Sequence, residues 1–173
     1  MLEYYKQKKE VLYIDESTTN LWQKPGRLWM PRKNPFNIKL ANTRGEGVTI
    51  IGAISSMRRQ LTYYLCDGST LDNVDMFFLG LHNQLDLNEK VLVLDNLAAH
   101  QNADLRQKLK LMGAILLFLP VASSFFNPIE TIWAWVKYQW RNRLLDPTLE
   151  SVDIDFLVQS MVEICDNIPG SIV

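Results

Sequence analysis

The 173-residue chain is 47% hydrophobic and 21% charged, a globular composition that excludes a disordered polymer, and at roughly 100–200 residues per domain it holds one main core. The longest apolar run, AILLFLPVA at 114–122, falls well short of the roughly 20 residues of a membrane span; the start MLEYYKQKKE has no signal-peptide pattern, and Cys66 and Cys165 make neither a disulfide framework nor a zinc motif. The net charge of −1 conceals a division: residues 1–145 hold all 18 Lys and Arg and 13 of the 19 acids, net +5, whereas 146–173 carries six acids and no base, and a basic body of this kind gathers phosphates.

VLYIDEST at 11–18 and VLVLDN at 91–96 are apolar runs closed by polar residues, and both predict buried strands. Between them VTIIGAISS (48–56) and LTYYLCDG (61–68), rich in β-branched and aromatic residues, predict a hairpin. Leu71, Val74, Phe77, Phe78, Leu81 and Leu85 are spaced as the stripe of a helix. Asp104 to Met112 is a second helix, ended by Gly113, and AILLFLP at 114–120 is another strand. Asn127 as N-cap and Pro128 at the first helical position open a helix to Leu144, whose apolar face is Ile129, Ile132, Trp133, Val136, Trp140 and Leu144. A last helix is expected over 148–166. Segment 20–47 is too long for an ordinary connection and carries net charge +5 with Trp22 and Trp29 interleaved, which marks it as functional. This order predicts an α/β fold: a mixed five-stranded sheet flanked by helices in a ribonuclease-H-like arrangement, with the 11–16 and 90–96 strands adjacent and parallel.

Asp15 and Asp95 each close an apolar strand at its carboxyl end, the edge at which open α/β sheets bind ligands. Either aspartate alone is an ordinary turn residue. On neighbouring strands about 4.8 Å apart, two carboxylates repel unless a cation lies between them, and hard oxygen donors suit Mg²⁺ or Mn²⁺. Glu130 lies in the first turn of its helix, and Ala134, Lys137 and Arg141 follow on the same face, an acid and two bases suited to a metal and a phosphate backbone. Strand alternation sends Glu16 to the face opposite Asp15, where it reads as a salt-bridge or cap residue. His100, five residues after Asp95, is a candidate contact for phosphate or for an attacking water. No Walker loop, GxGxxG, HExxH or GxSxG occurs.

VLYIDEST, LDNLAAH and NPIETIW, in this order over residues 11–145, resemble the DDE endonuclease domain of mariner-like transposases and their bacterial insertion-sequence relatives. The 34 residues from 96 to 129 between Asp95 and Glu130 match one of that family's spacings. The resemblance implies a metal-dependent DNA endonuclease and strand-transferase with two Mg²⁺ or Mn²⁺ ions. Asp15 and Asp95 would then be the bridging pair and Glu130 the acid completing the second metal site. It also implies DNA as partner, a homodimer in the DNA complex, and a location in cytoplasm or nucleoid for a bacterium or nucleus for a eukaryote. Arg32, Lys33, Lys137, Arg141 and His100 are the candidate DNA contacts. Residues 1–145 are expected to form the catalytic domain, with 146–173 an acidic helix packed on it. The loop before NPIE reads PVASSFF, where the family often has a Tyr, a Ser-Pro and an acid. No helix-turn-helix segment accompanies the catalytic motifs, so binding to duplex DNA is expected to be weak in sequence preference. The alternative is a domesticated or decayed domain that binds DNA or a partner without cleaving, against which the presence of all three acids speaks.

Overall fold

The computed structural model describes residues 4, 7–21, 46–58, 60–146, 149 and 152–172. Among these, β1 (Val11–Asn20), β2 (Gly47–Ser55), β3 (Leu61–Cys66), β4 (Val91–Leu94) and β5 (Ile115–Phe118) form one sheet in the order β3-β2-β1-β4-β5. β2 runs antiparallel to both β1 and β3, while β1, β4 and β5 are parallel. The expected hairpin is the antiparallel edge, and the whole is a ribonuclease-H-like mixed sheet.

Alternation along β1 and β4 divides the core between the two faces. Val11, Tyr13, Val91 and Val93 pack under α3 (Ile129–Arg143) and α4 (Ile154–Asp166), against Ile132, Trp133, Val136, Leu157 and Met161. Leu12, Ile14, Leu92 and Leu94 pack under α1 (Leu71–Leu85) and α2 (Ala103–Leu111), against Val74, Phe78, Leu81 and Leu105. Both faces of the parallel strands are covered, which is why these strands read as continuous apolar runs. Each fully buried side chain of this kind contributes about 1.5–3 kcal/mol.

Several boundaries differ from the sequence expectation. β1 continues two residues further because β2 pairs with it down to Asn20 opposite Gly47. β4 ends at Leu94, so Asp95 is the first residue beyond the strand. α4 begins at Ile154, after Asp153, whose side chain accepts from the Phe156 N–H at 2.8 Å. The helix is held on the sheet side by an Arg143–Glu163 ion pair of 2.7 Å from α3 and by Tyr63 of β3, whose hydroxyl donates to Asp166 at 2.7 Å. Among the described residues no helix is long and apolar enough to cross a membrane. Nearly all of segment 20–47, including Arg32, Lys33 and both tryptophans, lies outside the described residues.

Candidate active site

β1 and β4 pair as Val11 with Val91, Leu12 with Leu92 and Tyr13 with Val93. Asp15 and Asp95 each follow the last of these pairs by two residues, so both lie at the carboxyl edge of the parallel strands. Asp15 follows Val11 and Tyr13 on the face covered by α3. Its Oδ2 accepts the indole N–H of Trp133 at 3.1 Å. The Trp133 ring reaches it because β2 has Gly52 opposite Asp15. A Cβ on Gly52 would lie 2.6 Å from Trp133 Cη2.

Burial, reinforced by the charges of Glu16, Glu130 and Asp95 and opposed by the Glu16 backbone N–H, pushes the Asp15 carboxyl up to about 7. Glu130 and Asp95 are thus among the charges that act on Asp15. Hard carboxylate oxygens at one sheet edge, with the burial of Asp15 disfavouring its uncompensated charge, fit a hard divalent cation.

Asp95 has the opposite character. Its Oδ1 accepts from the Leu97 N–H at 2.9 Å and lies 2.8 Å from His100 Nδ1. The His100 hydrogen bond, against the effect of burial and with help from Leu97, holds this carboxyl below its ordinary range. The neighbouring Asn96 side chain donates to the Leu119 carbonyl at 2.6 Å, tying the ends of β4 and β5 together.

Glu130 is carried by the first turn of α3. The local anchor is Asn127, 2% exposed. Its side-chain oxygen accepts from the Ile129 N–H at 3.3 Å and its amide donates to the Ile14 carbonyl at 3.1 Å. The same residue caps the helix and fixes its start to β1, one position before Asp15. By backbone geometry Pro128 is the cap and the helix begins at Ile129, one residue later than the sequence expectation.

His100 departs from expectation. It is 1% exposed, with its ring against Phe78 at a centroid distance of 6.4 Å, and does not present a surface to DNA. Its Nε2 faces Glu16 Oε1 at 3.0 Å, an ion-pair distance without the alignment of a good hydrogen bond. Burial alone would lower the imidazole; the Asp95 hydrogen bond and the negative charges of Asp95 and Glu16 outweigh it and raise the group to about 9. Among the described residues, Glu16, Asp95 and His100 are the group of three whose ligating atoms all lie within 4.8 Å of one another; Asp15, Asp95 and Glu130 are not gathered that tightly. The salt-bridge reading of Glu16 holds, with His100 as its partner.

Lys137 is half-buried and Arg141 exposed on α3, and the Arg141 Nε–H donates to the Lys137 carbonyl at 3.0 Å. The loop from β5 to α3 exposes Phe125 (73%) and Phe126 (62%), their rings 4.2 Å apart. A cleft of about 320 Å³ between this loop and Asp95 is lined by Leu97, Leu119, Pro120 and Val121. Sequence reasoning missed the contacts of Trp133 and Asn127 with β1. Their only signals were an indole N–H on an apolar face and a polar residue destined for burial.

No curated protein matches the sequence. Among solved structures, the chain is similar to the Mos1 mariner paired-end complex with Mn (TM-score 0.60, 15% identity, 95% of this chain and 56% of that chain). It is also similar to the Mos1 strand transfer complex (0.61, 15%, 95% and 55%). The catalytic core domain of HTLV-2 integrase in complex with magnesium, in a trimeric form, matches with a TM-score of 0.56 at 11% identity, over 90% of this chain and 81% of that one. At such identities the likeness is one of fold, and the chain spans little more than half of the Mos1 chain's length. The sequence itself matches the DDE superfamily endonuclease profile over residues 10–152, and on that match the chain belongs to the DDE endonuclease superfamily.

Proposed function

We propose that this chain is the catalytic domain of a transposase, cutting DNA phosphodiesters and transferring strands with two divalent ions. The observation that carries the reading is the parallel pairing of β1 with β4, which brings Asp15 and Asp95 to the same edge of the sheet, beside the Glu130 helix that Asn127 ties to β1. Asp15, Asp95 and Glu130 would be the residues that hold the ions. Held there, Mg²⁺ or Mn²⁺ would supply Lewis-acid activation of a water or 3′-hydroxyl and charge neutralisation at the leaving oxygen. The protein's own part is to hold the three acids in place, to leave the Asp95 side open through its cleft, and to receive the phosphate backbone on Lys137 and Arg141. The Mos1 paired-end complex with a left transposon end supports DNA as partner, and a homodimer in the DNA complex is part of the same proposal. Residues 1–145 would be the catalytic unit, with 146–173 packed on it through α4.

The test is incubation of the purified chain with supercoiled plasmid and short duplexes in Mn²⁺, read on a denaturing gel. Nicking that EDTA abolishes and that Asp95→Asn removes, with DNA binding kept, is the expected result. Cleavage by Asp95→Asn within tenfold of wild type would count against the assignment, and binding without cleavage by wild type favours a domesticated, non-cleaving domain.

A further inference from the structure

We infer that Glu16 and His100 are positioning residues for Asp95: a relay that starts on the opposite face of β1 and fixes the Asp95 carboxylate for its metal. The inference deepens the reading above, since it rests on Asp95 being a metal ligand.

Consecutive residues of β1 point to opposite faces, so the adjacent acids Asp15 and Glu16 leave the strand on different sides. Asp15 goes to the α3 side and meets Trp133. Glu16 goes to the α1 side, where its carboxylate is 9% exposed and faces His100 Nε2 at 3.0 Å. The other ring nitrogen, Nδ1, lies 2.8 Å from Asp95 Oδ1. The His100 side chain is fully buried, with Phe78 edge-on against its ring. A ring held at both nitrogens and walled by an aromatic has no alternative rotamer that keeps its partners.

The consequence falls on one oxygen. Both close donors to Asp95, His100 Nδ1 and the Leu97 N–H, act on Oδ1. Among the described residues no hydrogen bond falls on Oδ2, and the Asp95 side chain is 39% exposed. The carboxylate is thus fixed in rotation with one oxygen engaged, while Asp95 itself lines the cleft. Glu16, His100 and Asp95 could be read as a three-ligand metal cage, since their ligating atoms lie within 4.8 Å. The arrangement of contacts argues for the relay: the ring gives one nitrogen to each carboxylate, so an ion taking either nitrogen must break one of the two contacts. Partners behind a ligating group commonly change metal affinity by 10–100-fold when removed.

The experiment measures Mn²⁺ binding to the whole chain by calorimetry, with thermal melts of the metal-free protein alongside. The variants are Glu16→Ala, Glu16→Gln, His100→Ala, His100→Asn and Asp95→Asn. Glu16→Ala and His100→Ala are expected to weaken Mn²⁺ by 10- to 100-fold with unchanged stoichiometry. Glu16→Gln, which keeps an acceptor for Nε2, and His100→Asn, whose Nδ2 replaces Nδ1 as donor to Asp95, are each expected to bind Mn²⁺ at least threefold more tightly than the matching Ala variant and within tenfold of wild type. A purely structural role would lower the melting temperature without ordering the affinities in this way. Folded Ala variants that bind Mn²⁺ within threefold of wild type overturn the relay, and lost stoichiometry in Glu16→Ala overturns it in favour of the cage. If the Ala variants do not fold, His100→Asn and Glu16→Gln decide: Mn²⁺ bound within tenfold of wild type is the expected result, and a larger loss overturns the relay. Wild type that binds no Mn²⁺, or Asp95→Asn that binds it as tightly as wild type, overturns the metal-site reading itself and the relay with it.

Discussion

The indole N–H of Trp133 donates to Asp15 Oδ2 at 3.1 Å, through space that exists because residue 52 on the adjacent strand is a glycine. A candidate metal ligand is thereby oriented by a core tryptophan, and the core tryptophan is seated by a missing side chain. Gly52→Ala would place its Cβ 2.6 and 3.0 Å from the outer ring atoms of Trp133 and 3.1 Å from Leu61 Cδ1. Overpacking of this kind costs about 1–3 kcal/mol. Trp133→Phe withdraws those outer ring atoms, so the double variant is expected to be more stable than the sum of the two single losses. Urea denaturation of the four proteins measures the coupling, and additivity within about 0.5 kcal/mol would rule it out.

Asp15 titrates at about 7 against an ordinary 3.8. The folded chain thus holds this proton more tightly than the unfolded chain does. Its contribution to stability is complete below about pH 4 and is lost as pH rises to about 7. Metal-free protein is expected to lose melting temperature over that window relative to Asp15→Asn, while Mn²⁺ affinity rises as the proton ceases to compete. Melts in EDTA and calorimetry from pH 5 to 8 check both trends. A wild-type minus Asp15→Asn difference that does not vary with pH would refute the first.

His100 gives the opposite end of the pH scale. Raised to about 9 by Asp95 and Glu16 against its burial, it contributes stability that is complete below its ordinary value of 6.5 and lost as pH climbs through 9. An alkaline fall in melting temperature between these limits is expected in wild type and absent from His100→Asn. Equal alkaline profiles would dismiss His100 as its source.

Asn127→Ala leaves the Ile14 carbonyl and the Ile129 N–H without their partner in a buried place, at a cost of about 1–3 kcal/mol. Asn127→Asp keeps the acceptor for Ile129 but sets a carboxylate oxygen beside the Ile14 carbonyl. It is therefore expected to be the less stable variant at pH 8 and to recover as its carboxyl gains a proton toward pH 5. Denaturation of both variants at the two pH values distinguishes them, and an Asp variant indifferent to pH would show that the amide contact carries no weight.

Lys137 and Arg141 follow Glu130 along α3, and neither forms an ion pair among the described residues. Changing both to Ala is expected to reduce the salt slope of duplex binding by about two at most, roughly 0.9 for each phosphate that is no longer neutralised. Anisotropy titrations between about 50 and 200 mM salt measure it. An unchanged slope assigns both side chains to solvent.

The strands and their parallel pairing were legible because a short, unbroken apolar run suits a strand covered on both faces and little else, and Asp15 and Asp95 were legible because each interrupts such a run at its end. Glu130 was placed by the Asn-Pro helix start. What could not be read was the company these residues keep. Alternation sends Glu16 away from Asp15, yet nothing local tells that the 95–102 loop tucks His100 beneath the same strand; exposed and buried histidines look alike in sequence. Asn127 was legible as a cap, but its amide meets a carbonyl 113 residues earlier, and contacts at such separation leave no periodicity. α4 starts at Ile154, six residues beyond the expected 148, because the Asp153 side chain caps it.

Asn96 and Asn127 hold the two feet of the segment between β5 and α3, one on the Leu119 carbonyl and the other on Ile14. The distance in sequence between Asp95 and Glu130 is then not what the chemistry measures. Residues added or removed among 120–126 would be absorbed as a larger or smaller arch over the cleft, with both footings and both acids where they are. Insertions placed there should be tolerated far better than a single residue inserted between Asn127 and Glu130, which would turn the acid by about 100° around the helix axis.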